Sequence, residues 1–236
     1  MTKLTNQMPT AYNTFSLEGT DMILKSILRD VKCGRYIDVG ANHPLNISNT
    51  FLFYSLGWRG VAIDGHDKFK SLWEKCRPED VFLDLIVSDM RKEVVFSLFP
   101  DDTMGSIDQE TRRRYQARFD GIQMHQRVAM ATTIYDIFIE HVNDEVHLLS
   151  IDIEGEELNA LKGANLSVFR PGVISAEIKN VSLYSPLSNE LVEFLTANGY
   201  RFIAKTPLDC IFVDPKKDYL KWIPQELFSI TAPSPA

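Results

Sequence analysis

Carboxylates and small residues recur in this chain where apolar runs end. The first such set is Asp38-Val39-Gly40-Ala41-Asn42, directly after Tyr36-Ile37. A small, flexible turn of this kind lets backbone N–H groups come close to a ligand. Asp64 closes the next apolar run, 24 residues after Gly40, the spacing of one β-α-β step. A carboxylate placed there can accept both hydroxyls of a ribose. Ser88-Asp89 follow a third run, where a side chain can bond an adenine amino group, or where Asp89 can simply serve a turn. The fourth set is Ser150-Ile151-Asp152-Ile153-Glu154-Gly155-Glu156-Glu157. Glu156 and Glu157 are accounted for by the positive end of a following helix, whereas Asp152 should point into a cleft. Glu177 ends the next run. On neighbouring parallel strands, Asp152 and Glu177 share a rim, and there they can hold a divalent cation such as magnesium or bind a substrate hydroxyl.

The turn at Gly40 is not a dinucleotide fingerprint. His43 and Pro44 stand where G-x-G-x-x-G needs small residues, and a proline forbids the tight strand-to-helix turn that offers N–H groups to a pyrophosphate. This speaks against a nicotinamide or flavin enzyme. His43 has an intrinsic pKa suited to proton transfer near neutrality, although a lone loop histidine more often has no such role.

These residues need strands and helices to hold them. Strands are expected at 36–39, 60–64, 81–87, 147–151 and 173–178, with 200–204 and 210–213 as a closing hairpin around Thr206-Pro207-Leu208-Asp209. Helices are expected from Asp21, over 49–56, from Asp67 (with Phe69, Leu72, Trp73 and Cys76 on one face), from a Thr133/Asp136 capping box, over 154–162 with Gly163 as its stop, and from Ser188. Such alternation implies a mainly parallel sheet covered on both faces, with ligands beyond the carboxyl ends of the strands. The stretch at about 93–130 breaks the rhythm and reads as an insertion, with an extra strand at 94–99 and a charged helix at 111–119. Within that helix, Arg114 and Arg118 share a face and could meet a phosphate or carboxylate on a substrate, or simply be solvated. Lys179 is a further substrate-binding candidate. The expected organisation is an N-terminal arm over 1–20, one domain over 21–230 and a disordered tail over 231–236.

The chain has 236 residues, 44% of them hydrophobic and 24% charged, with a formal net charge of -7. One α/β domain of this size buries a core without a staple. The acidic balance does not suit a nucleic-acid binder. Cys33, Cys76 and Cys210 form no C-x-x-C pair, so buried free thiols are expected rather than a zinc site. No apolar run is long enough to span a bilayer and the N-terminus lacks a secretory pattern. The expected location is therefore the cytoplasm.

Together IDVGAN at 37–42, SNTFLFYSLGWRGVAID at 48–64, VSD at 87–89, ATTIYDI at 131–137, LLSIDIEGEELNALKGA at 148–164 and the later Glu177 resemble FkbM-family methyltransferases. The resemblance implies a Rossmann-like class I methyltransferase fold, a seven-stranded, mainly parallel sheet flanked by helices with one antiparallel strand near the edge. It implies S-adenosyl-L-methionine as methyl donor. Carried over by position, Asp38, Gly40 and Asn42 would line the methionine end, Asp64 would hold the ribose, Ser88 and Asp89 would sit by adenine, and Asp152 and Glu154 would face the transfer site. His43-Pro44 departs from the glycine many relatives carry there. A hydroxyl acceptor must lose a proton, to a base among His43, Asp152, Glu154 and Glu177 or with help from Mg2+. The expected acceptor is a sugar, nucleotide sugar or surface glycan. Alternatives are a polyketide or other natural product and, more remotely, a dinucleotide-dependent oxidoreductase or a non-catalytic binding module. A homo-oligomer is compatible with all of these.

Overall fold

The computed structural model describes residues 13–99, 105–118 and 124–222, with the Arg118 side chain outside them. Among these residues the strands are β1 (Arg35–Val39), β2 (Arg59–Asp64), β3 (Val81–Asp84), β4 (Ile86–Val87), β5 (Lys92–Leu98), β6 (Gly105–Ser106), β7 (His125–Thr132), β8 (Leu148–Ile151), β9 (Val173–Glu177), β10 (Arg201–Lys205) and β11 (Asp209–Val213). The α-helices are α1 (Thr20–Ile27), α2 (Phe51–Ser55), α3 (Lys70–Cys76), α4 (Gln109–Arg118), α5 (Ile134–Ile137), α6 (Glu157–Lys162) and α7 (Glu190–Ala197).

A seven-stranded sheet runs in the order β10-β11-β9-β8-β1-β2-β3. Its centre is parallel, and β11 runs antiparallel to both of its neighbours. Period-two alternation explains why both faces are apolar. Ile37 and Val39 of β1, Leu149 and Ile151 of β8, and Ile174 and Ala176 of β9 pack into one core with Ile134 and Ile137 of α5, Leu161 of α6 and Leu195 of α7. Tyr36, Leu148 and Val173 face the other way, onto Leu24 and Ile27 of α1 and Phe53 of α2.

A second sheet, in the order β4-β7-β5-β6, takes in both ends of the segment expected as an insertion. It also corrects the third predicted strand. The run 81–87 is two strands: β3 pairs with β2, the chain turns at Leu85, and Ile86 and Val87 pair with Ala131 and Thr132 of β7. The apolar pattern runs unbroken through the bend, so nothing in one dimension marks it.

Several helix starts also move. A 3-10 turn over Asp67–Phe69 leads into α3 and is capped by His66, whose Nδ1 accepts the Lys68 N–H at 3.1 Å; Asp67 caps neither it nor α3, which has Phe69 at its N-cap. Asn189 caps α7 in place of Ser188, accepting the N–H groups of Leu191 and Val192. Gly19, left-handed at φ 75, precedes α1; Asp21 lies inside the first turn and gathers Thr14, the Phe15 N–H and Ser16. Helix α6 begins at Glu157, because Glu154 and Gly155 have φ 52 and 105 and cannot be helical. The Thr133 cap is as expected, with Oγ1 accepting the Asp136 N–H at 3.0 Å. Gly163 sits in the right-handed helical region at φ -76; a Cβ there would lie 2.6 Å from the Ser88 carbonyl, so close packing is its reason. Of the three free thiols only Cys210 is buried; Cys76 is half-buried and Cys33 exposed, which corrects the expectation of buried thiols. Among the described residues no helix is long and apolar enough to cross a membrane. The tail over 231–236 and the first twelve residues of the expected arm lie outside the described residues.

Candidate active site

The carboxyl ends of β1, β2 and β8 meet at one point. The Asp152 N–H bonds the Val39 carbonyl at 2.9 Å, extending the β1–β8 ladder by a step, and the Gly40 N–H bonds the Ile63 carbonyl at 2.8 Å. Gly40 has φ +81, and a Cβ on it would stand 1.7 Å from the Asp152 carbonyl oxygen. Only glycine fits there. Beyond it, Asn42 at φ 45 donates its N–H to Asp64 Oδ2 at 2.9 Å, and its carbonyl accepts the Trp73 Nε1–H at 2.8 Å. Asp64 Oδ1 takes the His66 N–H at 2.8 Å. The Asp64 carboxylate thus clips two loops together, with a lone pair left on each oxygen. Burial raises its pKa against the pull of those two N–H bonds.

A cleft of about 910 Å³, counted out to its mouth, opens here. Gly40, Asn42, Asp64, Asp152 and Glu154 line one side, and Ile86, Val87, Phe96, Leu98 and Ile107 the other. The apolar wall comes largely from the second sheet. The Phe96 ring of β5 fits between two glycines: a Cβ at Gly65 or Gly105 would come within 2.9 Å or 2.7 Å of it. The sequence reading did not single out Phe96. A strand was expected there, but strand patterning does not say what a strand covers.

At the acidic end, one oxygen each of Asp152, Glu157 and Glu177 lie within 4.8 Å of one another. Asp152 is open to the cleft yet hemmed in by protein. That desolvation, followed by the charges of Glu177, Glu154 and Glu157, holds its pKa well above the usual range. Glu177 is pushed up to about 7, first by burial and then by Glu154. Glu157 spends both oxygens on the N–H groups of Ile153 and Gly155 and shapes the loop. Lys179 bridges Glu177 at 3.0 Å and Glu154 at 3.1 Å. Burial alone would lower the Lys179 pKa; the two carboxylates raise it instead. Tyr115 of α4 donates to Glu154 at 2.5 Å.

Asp38, His43, Ser88, Asp89 and Arg114 lie off the cleft wall. Asp38 is buried, accepts Thr50 Oγ1 at 2.5 Å, and has its pKa raised by burial. Ser88 is buried and donates to Asp89, which pairs with Lys92 at 2.5 Å and is held low mainly by that bond. His43 Nδ1 accepts the N–H groups of Leu45 and Asn46, its ring meets Phe69 edge-on, and burial lowers its pKa. Arg114 is exposed and bonds Thr111 on its own helix. The Arg118 side chain lies outside the described residues.

Over residues 38–202 the chain matches the family model described as the methyltransferase FkbM domain. No curated protein matches it.

Proposed function

The chain belongs to the FkbM methyltransferase family, and we propose that it is an S-adenosyl-L-methionine-dependent O-methyltransferase with a Rossmann-like class I fold. The observation that carries this reading is the single cleft shared by Gly40, Asn42, Asp64 and Asp152. The strand order, with reversed β11 beside the edge strand, agrees with it.

The residues present suit the donor. Asp64 keeps acceptor capacity for ribose hydroxyls, the wall of Ile86, Phe96 and Leu98 offers a flat base an apolar bed, and the carboxylates favour a cationic ligand. When bound, S-adenosyl-L-methionine supplies an electrophilic methyl group on positive sulfur. Asp38, Ser88 and Asp89 support the flanking loops in this reading. His43 does the same, because its Nδ1 is already committed to two backbone N–H groups.

The acceptor hydroxyl gives its proton to the Asp152–Glu177 pair, two carboxyl groups too close to ionise independently. Magnesium fits this cluster poorly: the Lys179 ammonium already sits on Glu177, and Glu157 is committed to backbone N–H groups. The density of donors and acceptors at Glu154, Glu177, Lys179 and Tyr115 favours a polyhydroxylated acceptor, a sugar, nucleotide sugar or surface glycan, met in the cytoplasm. Ile47, exposed on the same cleft, is the one observation favouring an apolar natural product.

Calorimetry with S-adenosylhomocysteine tests the donor site. Asp64→Ala should weaken binding by about 10- to 100-fold, the loss of hydrogen bonds to a charged group. Stabilisation by NAD and none by S-adenosylhomocysteine would sink the reading. Transfer of labelled methyl to a panel of nucleotide sugars, glycans and macrolides tests the acceptor.

A further inference from the structure

Glu154 is held from two sides, and both holds fall on the same atom. Its Oε2 accepts the Tyr115 hydroxyl at 2.5 Å and the Lys179 ammonium at 3.1 Å. Among the described residues no bond of this kind reaches Oε1, and the residue lines the cleft. Its backbone is fixed as tightly. The φ of 52 is one few non-glycine residues adopt. Its carbonyl accepts Ser106 Oγ at 2.9 Å, and the next N–H, that of Gly155, is held by Glu157. Tyr115 is anchored in turn: its ring meets Phe99 edge-on at 5.2 Å between centroids. Three separate stretches of chain therefore converge on one carboxylate: the loop after β8, Lys179 after β9, and the inserted helix α4.

We propose that Tyr115, from the inserted helix, is a positioning residue for methyl transfer: with Lys179 it immobilises Oε2 of Glu154 so that Oε1 is presented to a second hydroxyl of the acceptor, beside the one that reacts. This rests on the methyltransferase reading above and extends it to a residue outside the main sheet. That second hydroxyl, donating to Oε1, sets the direction of the neighbouring oxygen that reacts and gives its proton to the Asp152–Glu177 pair, and orientation of this kind is where methyl transfer gains most from an enzyme. The insertion is then part of the catalytic apparatus. An acceptor that displaces α4 also releases the Glu154 carboxylate, which ties acceptor choice to turnover.

The test is a double-mutant cycle with Tyr115→Phe and Glu154→Gln, read as kcat, KM and S-adenosylhomocysteine affinity. Tyr115→Phe keeps the ring against Phe99 and removes only the hydroxyl. It should lower kcat by up to about 100-fold, the scale of a misplaced reacting group, with Tm and S-adenosylhomocysteine affinity unchanged. In the Glu154→Gln background the same substitution should change kcat less than about twofold, because two residues acting as one unit are not additive. Equal losses in both backgrounds, or an unaltered kcat in Tyr115→Phe, overturn the positioning role while wild-type transfer stands. A wild-type protein that transfers no methyl group to any acceptor overturns the reading beneath it, and this inference with it.

Discussion

Glu177 carries the clearest consequence of a single side chain. Its ordinary pKa of 4.5 is raised to about 7 in the folded protein. The base must be ionised to take a proton, so kcat/KM should rise with pH through about 7 and level off above it. Stability runs the other way. Between the unfolded and folded values the native state holds a proton that the unfolded chain has released, so this group's contribution is lost as pH climbs across that window. Glu177→Gln should flatten the fall of Tm with pH over the same range and lower turnover. A Tm–pH slope identical to wild type would mean that Glu177 is ionised throughout. The carboxylates themselves were legible from their places after apolar runs. The roles of Glu157, which braces a loop, and of His43, which accepts two N–H groups, were not, since hydrogen-bond partners depend on backbone turns that spacing does not encode.

At the level of elements, the contact between the tips of β1 and β8 sets the site. Gly40→Ala places a methyl group where the Asp152 carbonyl already lies, at a backbone angle that favours glycine. The two strand ends must separate or the protein must unfold. Overpacking plus a left-handed backbone should cost several kcal/mol, on the order of 2–5, measurable as a lower midpoint in urea. A midpoint equal to wild type would show that the loop relaxes freely. The central strands followed from their apolar runs and alternation. The split of 81–87 between two sheets did not, because hydrophobicity continues unbroken while the pairing partner changes.

Across the whole molecule, a buried polar network joins layers that the apolar cores leave separate. Arg77 is 1% exposed; it bonds Asp80 at 2.7 Å, Tyr36 at 2.6 Å, Thr50 at 3.1 Å and the Pro44 carbonyl at 3.3 Å, and it lies over Trp73. Thr50 in turn reaches Asp38. The loop after β1, helices α2 and α3 and the start of β1 thus meet at one guanidinium. Arg77→Met leaves Asp80 buried without its cation and should destabilise by about 3–5 kcal/mol. Thermal denaturation checks this; a shift under about 2 °C, well below that scale, would mean that the network contributes little. Neither Arg77 nor its role was visible in the sequence, because a lone arginine at a helix end has the same local pattern whether solvated or buried.

What the sequence determined by itself was local and periodic: roughly where the central strands and their helices fall, that the sheet is mainly parallel, and that Asp38, Asp64, Asp152 and Glu177 each stand at or beside a strand end. The motif set also carried the family. Only the tertiary structure decided which of these carboxylates face one cleft, that Asp38 turns away to Thr50, and that the second sheet supplies Phe96 and α4 supplies Tyr115. The physical reason is that periodicity fixes the face a residue takes within its own element, whereas its partners come from segments as far apart as Tyr115, Glu154 and Lys179, brought together only when the sheets pack.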